Sequence, residues 1–193
     1  VEYGDLAYMQ YLKNGKIEEI TFTQFSMFCK ATTAWVKEQS EKKGHKIRVA
    51  LYGKNNPGYV QLMLGVVCGG GVSIPIDVQA DEDTICAVIN KSEADILLYD
   101  INTPINEKSV LDRCSTLSDI KIMNDPENSM CEEISSKYSG TDVISDAKKE
   151  ECALILFTSG TTGEGKGVML SNGNLIDNVF NSEFKKFSKK LNI

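Results

Sequence analysis

The stretch CALILFTSGTTGEGKGVMLS, residues 152–171, decides how this chain folds. Its two apolar runs, CALILF (152–157) and GVML (167–170), have the length and content of buried strands. Between them stand Gly160, Gly163, Gly165 and Gly167, the hydroxyls of Thr158, Ser159, Thr161 and Thr162, and the cation of Lys166. The pattern predicts strand, loop, strand. Glycines let such a loop turn its amides inward, hydroxyls add further donors and the lysine adds counter-charge, which together are the groups a polyphosphate needs.

Two other structures compete for the same residues. Gly160, Gly165 and Lys166 satisfy G-x-x-x-x-G-K, but that phosphate loop requires Ser or Thr next, where this chain has Gly167, and a helix starting at the lysine. A plain surface hairpin explains the glycines and leaves the density of hydroxyls and the lysine without a purpose.

Upstream, helix and strand signals alternate. In TFTQ (21–24), Thr21 and Gln24 have capping-box spacing, Phe25, Phe28, Thr32, Trp35 and Val36 follow at helical intervals, and Lys42, Lys43 and Gly44 mark the helix end. IRVALY (47–52) is a predicted strand, after which Asn56 caps a helix with Pro57 at its first position. VSIPID (72–77) is a short strand whose Pro75 predicts a sheet edge or a strand end. Asp81, Glu82 and Asp83 open the next helix, ADILLYD (94–100) is a strand, and KSVLDRCSTL (108–117) with DIKIMN (119–124) add a helix and a strand. The alternation predicts an α/β fold, a mostly parallel sheet with helices on both faces. Residues 124–151 hold eight acidic side chains against three lysines and few large apolar residues, which predicts a surface connector. Residues 174–193 are amphipathic, with Lys185, Lys186, Lys189 and Lys190 on a solvated face.

Composition narrows the function classes. A net charge of −6 and a pI near 4.9 argue against nucleic acid as the main partner. Cys29, Cys68, Cys86, Cys114, Cys131 and Cys152 are scattered and His45 is the sole histidine, so no zinc-type spacing exists and buried, reduced thiols are expected. No apolar run reaches the roughly 18 residues of a membrane span, which predicts a cytoplasmic protein. The chain starts at Val1 without an initiator methionine, and a fragment is expected.

TSGTTGEGKGVMLS (158–171) resembles the phosphate-loop signature of the adenylate-forming enzymes, the superfamily of acyl-CoA synthetases, firefly luciferase and peptide-synthetase adenylation domains. The match falls on Thr158, Ser159, Gly160, Thr161, Thr162, Gly163, Lys166 and Gly167, and departs at Gly165, where the family has proline. VVCGGGVSIPID (66–77) and ITFTQF (20–25) are similar to earlier family segments, and GVMLSNGNL (167–175) resembles the acyl-CoA synthetase branch, with Asn172 in place of its usual histidine.

The resemblance implies that residues 1–193 are the N-terminal portion of an adenylation domain whose later elements and C-terminal lid have no counterpart here. It implies ATP and magnesium as cofactors, a carboxylic acid such as a fatty acid as substrate, and coenzyme A or a phosphopantetheine arm as thiol acceptor. Amide and hydroxyl groups of residues 158–163 with Gly167 would bind the β- and γ-phosphates, and Lys166 would offset charge on departing pyrophosphate as the catalytic residue. An aryl or amino acid loaded onto an acyl carrier protein is the alternative, as is a non-catalytic nucleotide-binding module. The fragment alone is expected to be inactive.

Overall fold

In the computed structural model, residues 3–125, 127, 129–158 and 165–181 are described. The chain opens with a hairpin of β1 (Ala7–Lys13) and β2 (Lys16–Thr21), turned at Asn14 and Gly15 with φ of 52° and 75°. Both are left-handed, the conformation a two-residue hairpin turn of matching twist requires.

Thr21 then caps α1 (Phe22–Lys43): its hydroxyl accepts from the Gln24 amide at 3.2 Å while the Gln24 side chain accepts from the Thr21 amide at 2.9 Å. Lys42 and Lys43 occupy the last turn and Gly44 closes it at φ 73°, as the sequence predicts. The remaining elements are β3 (Arg48–Tyr52), α2 (Pro57–Cys68), β4 (Val72–Ile76), α3 (Glu82–Ser92), β5 (Ile96–Tyr99), α4 (Glu107–Arg113), β6 (Asp119–Ile122), α5 (Met130–Lys137), β7 (Cys152–Thr158), β8 (Lys166–Ser171) and α6 (Asn172–Asn181). Asn56 caps α2 and Asp81 caps α3 through their side chains. At α6 the cap is SNGN itself: the Ser171 hydroxyl accepts from the Asn174 amide at 3.1 Å, and the Asn174 side chain accepts from the Ser171 amide at 2.9 Å.

The main sheet has the order β6-β5-β3-β4-β7-β8, parallel except for β7 with β8. It is the expected α/β sheet with helices on both faces. Alternate residues of β3 feed two cores: Val49 and Leu51 pack with α1, α2 and α5 residues including Trp35, Leu62 and Ile134, while Ala50 and Tyr52 pack with Ile85, Ile89 and Val110.

Pro75 corrects one expectation. Its strand is interior, flanked by β3 and β7, so the edge alternative falls. The strand-end alternative holds, because Ile76 is the last residue of β4 and the ladder to β7 is a single pair, Ser73 with Leu154. A proline lacks the donor needed to carry such a ladder further.

The acidic stretch corrects another. Residues 130–137 form α5, and Met130, Ile134 and Tyr138 are buried in the first core. Polar segments read as connectors when their apolar residues are sparse, yet three of them four residues apart make one helical stripe. The acids are also tied down, Asp142 to Lys30, Glu151 to Lys46 and Glu133 to Lys121. The thiols differ too: Cys86 and Cys114 are buried, Cys29, Cys131 and Cys152 are half-buried, and Cys68 is exposed. No helix among the described residues is long and apolar enough to cross a membrane.

Glu38 of α1 accepts from Lys42, from Tyr138 at 2.6 Å and from Lys137 at 3.1 Å, so α5 is clasped to α1. These donors, Lys42 foremost, hold its carboxyl down to about 2 from an ordinary 4.5. A carboxylate with a lowered folded-state pKa stabilises above its unfolded value and loses that contribution as pH falls through the folded one. Acid unfolding followed by circular dichroism should therefore show a Glu38-dependent decline between about pH 4.5 and pH 2, which Glu38→Gln flattens. Ile134→Ala, which empties a fully buried site, should cost about 2–5 kcal/mol in urea denaturation. A mobile connector would tolerate that change within about 0.5 kcal/mol.

Candidate functional site

In open α/β sheets ligands gather at the carboxyl ends of the strands, above all where successive crossovers leave in opposite directions. Here that switch lies between β3 and β5, since α2 leads from β3 to β4 and α4 leads from β5 to β6 on the other side. The crevice is filled. Asp100, just after β5, is 2% exposed and accepts from the Asn102 amide and side chain at 2.8 and 2.9 Å, from Asn124 at 3.1 Å and from Asn56 at 2.9 Å. Burial pushes this carboxyl up, but the hydrogen bonds from Asn102, Asn124 and Asn56 outweigh it and hold it below the usual carboxylate range. Gly53 seals the other side: it sits at φ 155°, and a Cβ there would lie 2.5 Å from the Asp100 Cβ. With its lone pairs satisfied and its neighbour touching, Asp100 is a structural plug.

Strand β7 ends at the same edge of the sheet two strands away. Because β7 runs parallel to β4, Thr158 emerges on the side where β4 delivers Asp77. The turn after β4 is fixed from beneath by Tyr52, whose hydroxyl donates to the carbonyls of Val78 at 3.3 Å and Ala80 at 3.2 Å. Among the predicted binding residues, Ser159, Gly160, Thr161, Thr162 and Gly163 lie outside the described residues. Thr158, Lys166 and Gly167 are described, and the fold brings them together.

Thr158 and Lys166 are the last pair of the antiparallel β7–β8 ladder, preceded by Phe157 with Gly167 and Leu156 with Val168. Cross-strand partners share a face, so the Thr158 hydroxyl and the Lys166 ammonium project on one side at the mouth of the loop. Both residues are exposed. The Thr158 hydroxyl has a contact of 3.5 Å with the Lys166 carbonyl, too long to fix its direction. Lys166 begins a strand, which excludes the helix that a G-x-x-x-x-G-K phosphate loop demands.

Gly165 and Gly167 have different duties. Gly167 lies under an aromatic ring: a Cβ there would stand 3.2 Å from Phe157 Cζ and 3.3 Å from Ile155 Cγ2. Its small size is a packing requirement that sequence reasoning counted as loop chemistry. At Gly165 a Cβ would meet the Thr158 carbonyl at 3.2 Å. Lys91 of α3 reaches the Gly165 carbonyl at 3.5 Å, a contact that links the loop base to the second core's helix layer and that no sequence signal announced.

Hydroxyl donor, ammonium and glycine backbone at the mouth of one loop make a donor set suited to phosphate oxygens. Among the described residues no group of three or more His, Cys, Asp or Glu side chains gathers as a metal site.

Comparison with known proteins bears on the same residues. The model of the AMP-binding enzyme family matches residues 2–191. The long-chain-fatty-acid–CoA ligase ACSBG1 of Bos taurus is 25% identical over 90% of this chain, which covers 26% of that protein. The D-alanine–D-alanyl carrier protein ligase of Staphylococcus aureus (strain MRSA252) is 27% identical over 72% of this chain, again 26% of the relative. The chain thus spans about a quarter of the length of these curated relatives. Among solved structures, a long-chain-fatty-acid-CoA ligase (FadD1) from Archaeoglobus fulgidus superposes with a TM-score of 0.76 at 21% identity, over 94% of this chain and 36% of that one.

If Gly167 is held by Phe157 and Ile155, Gly167→Val should cost about 1–3 kcal/mol in chemical denaturation through overpacking. The neighbouring Lys166→Ala should change stability by less than about 0.5 kcal/mol. Equal costs at the two positions would show that the packing assignment of Gly167 is wrong.

Proposed function

The chain belongs to the AMP-binding enzyme family, and on that premise we propose that it is the N-terminal portion of an ATP-dependent acid–thiol ligase that activates a carboxylic acid, a fatty acid first among the candidates. The observation that carries the proposal is the pairing of Thr158 with Lys166, which sets a hydroxyl and a cation side by side at the two ends of the glycine-rich segment. The similarity to long-chain-fatty-acid–CoA ligases supports the fatty-acid assignment.

In this proposal the substrate carboxylate attacks the α-phosphorus of ATP and pyrophosphate leaves. Thr158, Ser159, Thr161 and Thr162 donate from their hydroxyls to the β- and γ-phosphates, and the amides of Gly160 to Gly163 close around them. Lys166 offsets the charge that grows on the departing pyrophosphate. Such catalysis is positioning and electrostatic stabilisation, so no side-chain nucleophile is needed. Magnesium, when bound with the nucleotide, supplies further charge neutralisation. A thiol, of coenzyme A or of a phosphopantetheine arm, then displaces AMP from the acyl adenylate. Reaction of a soluble acid, nucleotide and thiol is consistent with a cytoplasmic setting.

The second function has its own support in the similarity to a carrier protein ligase: an amino or aryl acid is activated and loaded onto a carrier protein. Acid-dependent exchange of pyrophosphate into ATP by the complete ligase, across fatty, aryl and amino acids, separates the two, and exchange with none of them would support a non-catalytic nucleotide-binding module. Lys166→Ala should lower the exchange rate roughly 10²-fold, the scale of removing one preorganised charge-stabilising group. An unchanged rate would remove Lys166 from the mechanism. The 193-residue chain by itself should give no acid-dependent exchange.

A further inference from the structure

The main sheet ends in β6 on one side and β8 on the other, and the two edges are built differently. β6 is four residues long and sets Asp119 and Lys121 against Ile96 and Leu98 of β5. Both charges therefore lie on the face of the first core, where Glu133 of α5 holds Lys121 at 2.9 Å. A short strand with charges on its inner face resists pairing with another chain. β8 has neither defence. It runs six residues, KGVMLS, with no proline and with its one charge, Lys166, at the first position.

Exposure sharpens the contrast. β8 pairs with β7 on its inner side, and no strand among the described residues pairs with its outer side. Met169 is 65% exposed on one face of the hairpin; Val168 is 45% exposed on the other, beside its cross-strand partner Leu156 at 39%. An edge whose main-chain groups lie between bare apolar side chains on both faces is a template for one more strand.

We propose that β8 pairs with β8 of a second copy of this chain, antiparallel about a two-fold axis, so that two six-stranded sheets join into one. Partners in such a ladder share a face, which places a single residue on the axis. With Met169 there, it meets Met169 of the partner subunit, Val168 meets Leu170 of the partner subunit and Gly167 meets Ser171 of the partner subunit. Charge favours a second copy as the occupant. Residues 167–171 are neutral throughout, so the seam offers nothing to select a charged strand, and self-pairing sets no like charges against each other. The two Lys166 side chains stand six residues apart along the seam, about 20 Å.

The pairing also closes. A two-fold contact uses the same edge on both copies and leaves none over, and the protected β6 edge does not extend the sheet further. Thr158 and Lys166, the ends of the glycine-rich segment, lie outside residues 167–171 and stay clear of the seam.

The test is analytical ultracentrifugation of the full 193-residue chain in low and high salt, beside Met169→Lys, Val168→Lys and Leu111→Lys. The expected mass is twice that of the 21.3 kDa chain, and salt should not lower it, because main-chain bonds and apolar contacts make the seam. Met169→Lys sets two like charges together on the axis and should give a monomer with an unchanged circular dichroism spectrum, since it replaces an exposed side chain. Val168→Lys, on the opposite face, should weaken the dimer several-fold. Leu111→Lys, on exposed α4 surface away from this edge, should leave it intact. Hydrogen exchange at the β8 amides should speed up about tenfold in Met169→Lys as their second set of partners is lost. A wild-type monomer would overturn the proposal. So would a dimer that both β8 variants leave intact, or assemblies that grow beyond two copies.

Discussion

Burial of β3 on both faces is the constraint on which the other layers depend. Val49, Ala50 and Leu51 are fully buried, yet they belong to different cores, because successive side chains of a strand point to opposite sides. A strand of this kind is stable only if both faces are covered. Coverage comes from crossovers of one hand: the two that lead towards β7, through α2 and α5, lie on the face of α1, and the two that lead towards β6, through α3 and α4, lie on the other. The switch point at the carboxyl end of β3 follows from the same geometry. In this chain it is occupied by the Asp100 plug, and the glycine-rich segment joins the two strands of the β7–β8 hairpin.

This division of labour makes the carboxyl edge of the sheet part rigid and part open. Tyr52 fixes the turn after β4 and the Asn56, Asn102 and Asn124 amides fix the end of β5. At the hairpin, by contrast, Thr158 and Lys166 are exposed and held by a backbone ladder. Under the function proposed above, exposed side chains at this place suit a ligand, since each internal bond would have to be exchanged on binding.

Much of the fold was legible in the sequence wherever its determinants are local. The Thr21–Gln24 cap, the Asn56–Pro57 and Asp81 starts and the Gly44 stop depend on residues three or four positions apart, and each stands as its residue types predict. The β1–β2 hairpin had an equally local signal in Asn14–Gly15, which the reading passed over. α5 was hidden because its stripe is only Met130, Ile134 and Tyr138 amid acids, and tertiary burial decided what periodicity left faint. Of the candidate site, the strand–loop–strand setting was readable, and the pairing of Thr158 with Lys166 came from the structure. The role of Gly167 under Phe157 was not readable, because it needs a cross-strand neighbour.

The single Ser73–Leu154 pair between β4 and β7 bears on how the sheet assembles. Neighbouring strands from β6 to β4 pair residues within about 50 positions of one another, whereas this seam joins residues 81 apart. Loop-closure entropy rises with that separation, and contacts between distant residues form late. The β7–β8 hairpin, by contrast, closes across eight residues from Thr158 to Lys166 and can form early by itself. By sequence separation the sheet thus divides into two pieces, a four-strand block and a hairpin that packs against it through Ile155 and Phe157. The glycine-rich segment belongs to the hairpin, so its two ends are set against the rest of the edge through the most sequence-distant pairing in the sheet.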